Sequence, residues 1–206
     1  MKNPLNYQTT EYDCGPTTLL NAMRYLFKRE EIPPDIIKHI SLYSLDSYND
    51  KGESGKNGTS SMAMLFLSEW LNKFGKIKKF PISCECLPSE AVFIAQNSKI
   101  VAALQQGGVA VVRVRLGCWH YVLLTGADGQ NINLFDPYFR KIPFKQAGLK
   151  IITDKPNSMN RQVSFDNINS FGKGLYALGP EKTREAIIIF NQKTQKTPGN
   201  TIEYFI

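Results

Sequence analysis

Residues Gln8 to Thr18 read QTTEYDCGPTT, and this stretch places one cysteine, Cys14, directly before a Gly-Pro step. Proline is tolerated in the first turn of a helix, because the N–H that it lacks would have no partner there. Apolar residues recur at helical spacing after it, so residues 16 to 28 are predicted to form an amphipathic helix. Cys14 is therefore expected at a helix N-terminus, where free N–H groups and the helix dipole stabilise a thiolate.

The composition is typical of a folded protein, with 42% hydrophobic and 11% aromatic residues in a chain of 206. That length suits one domain, and we expect residues 1–206 to form a single one. No stretch approaches the roughly 18 apolar residues that span a bilayer, and the N-terminus lacks the apolar segment of a secretory signal. We therefore expect a cytoplasmic protein with no membrane partner.

The charged residues and the cysteines exclude two further classes of function. The net charge is +7, but the charges are scattered and are not interleaved with aromatic residues, so we expect no nucleic-acid partner. The four cysteines form no CxxC pair, and two histidines make a poor zinc set with them. We expect four reduced thiols, no metal and no cofactor. The oligomeric state is left open.

The order of the predicted elements is helices first and strands later. A short helix follows Pro33-Pro34, a third helix runs from about residue 61 to a stop at Gly75, and a fourth covers about 98–106. The predicted strands are 119–125 and 131–135, with weaker candidates at 150–153, 162–165, 175–178 and 186–190. This order predicts an α+β protein, with a helical lobe at about 1–106 and a sheet lobe at about 107–206.

A polar, glycine-rich stretch, Ser44 to Ser60, separates the second helix from the third. Its composition predicts a long loop, which is an uncommon feature of a compact domain unless the loop has a function. We expect this loop to be mobile and to lie near the mouth of a cleft.

A nucleophilic cysteine also needs a base, and the sequence offers only His39 and His120. His39 lies in a lysine-rich helical segment with no obvious carboxylate to orient it. His120 begins a predicted strand whose hairpin partner leads to Asp136. A three-residue loop at 127–129 would set His120 directly opposite Asp136, whereas a two-residue Asp-Gly turn would put them on opposite faces. The three-residue loop is the one that the chemistry requires.

The third requirement is a donor for the oxyanion that forms during acyl transfer. Gln8 precedes Cys14 by six residues, and its side-chain amide is expected to act with the Cys14 N–H as a donor pair. Each of these residues also has an ordinary structural alternative: a buried cysteine, a satisfied strand histidine, an Asp-Pro turn or a loop glutamine. Cys118 is expected to be a buried thiol.

The ordered set Gln8, Asp13-Cys14-Gly15-Pro16, His120-Tyr121-Val122 and Asp136-Pro137 resembles the papain-like cysteine peptidases. Within them it is most similar to the bacterial group related to the double-glycine leader peptidases that process bacteriocins, here in a stand-alone form. The resemblance covers residues 8–28 and about 100–138.

The resemblance implies a papain-like fold of two lobes, with Cys14 on the helical lobe, His120 and Asp136 on an antiparallel sheet lobe, and a cleft between them. It also implies thiol-dependent cleavage of a peptide or protein substrate. Two alternatives remain: a catalytically silent peptide-binding module on the same fold, and an acyl or amide transferase that uses the same triad.

Overall fold

The structure is a computed structural model that describes residues 4–197. The helices are α1 (Cys14–Leu26), α2 (Pro34–Tyr43), α3 (Ser61–Lys78), α4 (Lys99–Gln105) and α5 (Phe165–Asn169). The strands are β1 (Ile82–Leu87), β2 (Val109–Leu116), β3 (Cys118–Asp128), β4 (Asn131–Phe135), β5 (Leu149–Ile151), β6 (Arg161–Ser164) and β7 (Ala186–Asn191).

The seven strands of the described residues form one antiparallel sheet in the order β1-β7-β2-β3-β4-β6-β5. Together with the helices, this sheet confirms the predicted α+β class. The three adjacent strands β2, β3 and β4 are joined by short turns, so the residues at their ends come close together in space.

Both faces of the sheet are covered. Residues of α1, α2 and α3 pack on one face against Val109 and Val111 of β2, and residues of α4 and α5 pack on the other face against Val112 and Val114. A strand that is buried on both faces needs apolar residues at successive positions, which explains the run Val109–Val112.

The sheet is not confined to residues 107–206, where the sequence analysis put it. β1 lies in the part of the chain that was assigned to the helical lobe, and it pairs with β7 along its whole length, from Ile82 opposite Asn191 to Leu87 opposite Ala186. α4, from the same part of the chain, packs on the face opposite to α1. The papain-like division into two lobes stays a prediction.

α3 is longer than predicted, because Gly75 lies inside it and does not end it. The helix continues to Lys78 and ends with Lys79 in the left-handed conformation, at φ 54°. A Cβ on residue 75 would lie 2.9 Å from both Ile82 Cγ2 and the Phe80 carbonyl oxygen. Glycine is therefore needed here for the close approach of the chain that enters β1.

Two predicted segments have a different structure. Residues 175–178 form no strand; they make a turn in which Tyr176 has a left-handed φ of 61°. The polar stretch 44–60 contains a small hairpin, with a bridge between Tyr48 and Ser54 and with Asn49 bonded to Glu53. Its far end is fixed by Asp46, whose Oδ1 accepts from the Ser60 N–H at 2.9 Å. Whether it is mobile stays a prediction.

Across residues 4–197, no helix combines the length and the apolar character that crossing a membrane requires.

Candidate active site

Cys14 lies at the N-terminus of α1, as predicted, although the helix begins at Cys14 itself and not at residue 16, and its side chain is buried. Asp13 precedes it without capping the helix through its side chain. Its Oδ2 instead accepts from the Thr10 N–H at 3.1 Å, which closes the turn that leads into the helix. The first N–H groups of an α-helix have no partner within the helix, so the start of α1 presents free donors beside the thiol.

His120 lies near the start of β3, directly after the tight turn at Gly117, where φ is 83°. It pairs with Val114 of β2 and is buried. Its Nε2 lies 2.7 Å from Oδ1 of Asp136. Because an ionised carboxylate only accepts, Nε2 carries the hydrogen of this bond and leaves Nδ1 for another partner.

The predicted contact of His120 with Asp136 is therefore present, but the predicted register is wrong. The hairpin turns at Gly129 and Gln130, so that Asp128 pairs with Asn131. That two-residue turn alone would place the two side chains on opposite faces. A bulge between Leu124 and Gly126 then shifts the register by one residue.

Beyond the bulge, Leu123 pairs with Phe135. Continued by one residue, this register sets Asp136 opposite Val122. His120 is thus a diagonal neighbour of Asp136 on the same face of the sheet, and not its direct partner.

Asp136 is fully buried, and both of its carboxylate oxygens are bonded. Oδ1 accepts from His120 and also from the Tyr138 N–H at 2.7 Å. Oδ2 accepts from the Tyr176 hydroxyl at 2.6 Å. Asn160 holds the backbone of the same residue, since its Oδ1 accepts from the Asp136 N–H and its Nδ2 donates to the Asp136 carbonyl, each at 2.7 Å.

A buried arginine, Arg161, holds the groups that bind this carboxylate. Arg161 donates from Nε to the Tyr176 hydroxyl at 3.1 Å and from its terminal nitrogens to the carbonyls of Asn160 and Tyr138. Burial and the charge of Asp136 raise the pKa of Tyr176, so its hydroxyl keeps the hydrogen that it donates to Asp136. The Asp136 carboxylate is therefore fixed in orientation by groups on both sides.

The imidazole of His120 contacts Cys14 as well as Asp136. Burial lowers the pKa of His120, but the hydrogen bonds to Asp136 and Cys14 and the charges of both together raise it to about 10. His120 is thus held as an imidazolium at neutral pH. A cation in contact with a sulfur stabilises the thiolate form of that sulfur.

Gln8 lies in the same cleft as Cys14 and His120, and its backbone N–H donates to the Pro137 carbonyl at 2.9 Å. This bond ties the segment before α1 to the residue after Asp136. The Gln8 side chain donates from Nε2 to the Thr10 carbonyl at 2.8 Å, and its Oε1 is buried without a partner among residues 4–197. One Nε2 hydrogen of Gln8 is therefore bonded to Thr10. That the other hydrogen donates to the oxyanion stays a prediction.

The cleft that contains these groups has a volume of about 900 Å³. Ser47 and residues 57–60 line part of it, so the expectation that the 44–60 segment lies at the cleft is confirmed. The segment approaches α1 closely: a Cβ on residue 15 would lie 2.2 Å from Thr59 Oγ1. Gly15 is thus required for this contact rather than for a turn.

The other candidate residues lie elsewhere or have a different environment. His39 stacks on Trp70, with ring centroids 4.1 Å apart, and its Nδ1 lies 3.0 Å from the Asp35 carbonyl oxygen. Burial raises the pKa of both Cys84 and Cys86. Cys118 is exposed, which corrects the expectation of a buried thiol; it lies in the tight β2–β3 turn, where β3 has not yet entered the core.

The sequence analysis missed Asn160, Arg161 and Tyr176. Each contacts Asp136 or a partner of Asp136, although they are 24 to 40 residues away along the chain. A pattern within the sequence carries no signal for such contacts, because they depend on how β6 and the 175–178 turn pack behind β4.

A scan of the chain against protein-family models finds no match, and a search of curated proteins finds none either.

Proposed function

We propose that the protein is a cysteine peptidase of papain-like type, which hydrolyses a peptide bond in a peptide or protein substrate through a thioester. The observation that carries the proposal is the buried hydrogen bond between His120 and Asp136, 2.7 Å long, on an imidazole that also contacts Cys14. A structural cysteine has no need of an imidazolium held in this way. The arrangement supplies a nucleophile, an acid–base group and a group that orients it.

In the proposed first step, the Cys14 thiolate attacks the carbonyl carbon of the scissile bond. The negative charge moves to the carbonyl oxygen, where the Cys14 N–H and the free Nε2 hydrogen of Gln8 are the proposed donors. The C–N bond then breaks, and the His120 imidazolium gives its Nδ1 proton to the leaving amine. A thioester on Cys14 and a neutral imidazole remain.

In the second step, the neutral His120 takes a proton from a water molecule, and the resulting hydroxide attacks the thioester carbonyl. The C–S bond breaks, so that the product leaves as a carboxylic acid, which loses its proton to the solvent, and the thiolate–imidazolium pair forms again. Asp136 keeps its charge throughout. Its role is to hold Nε2–H, and so to keep Nδ1 directed at Cys14 in both steps.

The proposal is tested by turnover of a peptide library derived from a proteome, with products identified by mass spectrometry. Cys14→Ala and His120→Ala are expected to abolish cleavage. His39→Ala is the matched control and is expected to leave cleavage largely intact, because His39 stacks on Trp70 outside the cleft. Equal losses in the two histidine variants would contradict the assignment of the base.

The same chemistry admits an acyl or amide transferase, in which an amine replaces water in the second step. It is distinguished by adding a primary amine such as glycine amide to the turnover assay. A transferase gives the amide as the main product at millimolar amine, whereas a peptidase gives the acid. A silent peptide-binding module gives neither product, and its Cys14 is alkylated no faster than a free thiol.

A further inference from the structure

One wall of the cleft is positively charged. Three side chains share one face of the sheet there: Arg113 and Arg115 of β2 and Trp119 of β3. Arg115 pairs directly with Trp119. The guanidinium carbons of Arg113 and Arg115 lie 4.6 and 3.5 Å from the centre of the Trp119 ring. Stacking on an indole fixes the plane of a guanidinium while its N–H edges stay available.

The two arginines differ in how far their charge is compensated. Arg113 lies 3.5 Å from Glu185 and donates to the Thr183 carbonyl. Arg115 takes part in none of the ion pairs found within residues 4–197. The Nε atoms of both arginines are buried, and within the described chain no hydrogen-bond partner reaches either of them, so the difference lies in the ion pair.

The remaining charges that line the cleft do not balance Arg115. Arg140 adds positive charge, whereas the charge of His120 is met by Asp136 and Cys14. Glu11 is the acidic side chain that also lines the cleft. Glu11 is exposed and forms no ion pair with another described residue. The cleft is thus net positive beside Cys14, and Arg115 is an arginine of its wall that has no ion pair among the described residues.

We propose that Arg115 forms a subsite for a carboxylate of the substrate, so that the enzyme prefers an acidic residue, or a chain end, close to the scissile bond. This inference rests on the proposed function. A carboxylate binds an arginine through two N–H groups of the guanidinium and neutralises its charge. Arg115 lines the same cleft as Cys14 and His120, so a carboxylate bound to it belongs to a substrate held at the proposed site.

The first test needs no peptide substrate. Native protein is alkylated with iodoacetate or iodoacetamide, which differ by one negative charge, and both rates are read at Cys14 by mass spectrometry of its tryptic peptide. Arg115→Met is expected to lower the ratio of the iodoacetate rate to the iodoacetamide rate by about fivefold at low salt. Arg115→Lys should retain most of the ratio, and the effect should shrink in 1 M salt.

Arg29→Met is the matched control, because Arg29 is exposed in the turn before α2 and does not line the cleft. An unchanged ratio in Arg115→Met would overturn the subsite. If this variant does not fold, Arg115→Gln replaces it, and an iodoacetamide rate close to that of the wild type shows that the site is intact.

The second test uses pairs of peptides that carry Glu or Gln near a cleaved bond, or a free or amidated C-terminus. We expect the wild type to prefer the charged member of one pair by about fivefold in kcat/KM, and Arg115→Met to lose that preference. The pair that responds identifies the source of the carboxylate. Cleavage without any preference would overturn the subsite alone, whereas no cleavage and an unreactive Cys14 would overturn the proposed function and the subsite with it.

Discussion

Tyr176 and His120 bind opposite oxygens of one buried carboxylate: the tyrosine hydroxyl donates to Oδ2 of Asp136 at 2.6 Å, and the imidazole donates to Oδ1 at 2.7 Å. The carboxylate therefore cannot rotate without breaking one of the two bonds. Tyr176 itself is held by Arg161 and by its backbone N–H, which donates to the Arg115 carbonyl. Its left-handed φ of 61° is costly for a tyrosine, which indicates that these contacts fix the turn.

Tyr176→Phe is expected to lower kcat by about tenfold with little change in KM. The loss of one hydrogen bond to a buried charge is worth about 1.5 kcal/mol and weakens the orientation of His120, and the hydroxyl that is removed is already bonded to Asp136 and Arg161. Steady-state kinetics on a cleaved peptide measure the effect, and Tyr43→Phe, at an exposed side chain of α2, is the control. A change confined to KM would contradict a positioning role.

Asn160→Ala is expected to lower the free energy of unfolding by about 3 kcal/mol, because it leaves the buried N–H and C=O of Asp136 without their side-chain partner. Denaturation in urea measures the change. Asn157→Ala is the matched control, since the half-buried Asn157 has an Oδ1 with no partner in the described structure, and its removal should cost much less. Equal losses of unfolding free energy in the two variants would mean that the two bonds from Asn160 to the Asp136 backbone contribute no particular stability.

Gly15→Ala is expected to displace the 44–60 segment and to lower the free energy of unfolding by about 2 kcal/mol, since the added Cβ would lie 2.2 Å from Thr59 Oγ1 and 2.7 Å from Thr59 Cβ. Thr59→Gly should restore part of this loss in the double variant. Gly172→Ala, whose Cβ meets its nearest side-chain atom at 3.5 Å, is the control. Strictly additive effects of the two substitutions would show that the contact is not the cause.

The α+β class and most of the helices and strands followed from the sequence, because periodicity and turn residues are local signals. The contact of His120 with Asp136 was also predicted, although for the wrong reason. The inferred three-residue loop and the observed two-residue turn followed by a bulge both put the two residues on one face. The sequence signal for the bulge is Gly126, because a glycine inside a strand often marks a bulge, and the sequence analysis did not use it.

Two further features could not be predicted from local sequence patterns, because contacts with distant residues determine them. β1 (Ile82–Leu87) carries a glutamate and two cysteines, and it is a strand because β7 pairs with it as an edge partner. Tyr176 lies in a stretch that was predicted to be a strand on the basis of its apolar residues. That stretch is instead a turn behind β4, which is fixed by Arg161 and by the backbone of β2.

The pH dependence of Cys14 alkylation tests the central claim most directly. Burial lowers the pKa of His120, but its bonds to Asp136 and Cys14 and their charges raise it to about 10, so the imidazolium is present below that pH and is lost above it. We expect the rate with iodoacetamide, read at the Cys14 peptide, to stay nearly constant between about pH 6 and about pH 9 in the wild type. In His120→Ala it should instead rise with pH as that of a free thiol does, with a midpoint near 8.5. A wild-type profile that coincides with that of His120→Ala would contradict the thiolate–imidazolium pair and, with it, the proposed peptidase.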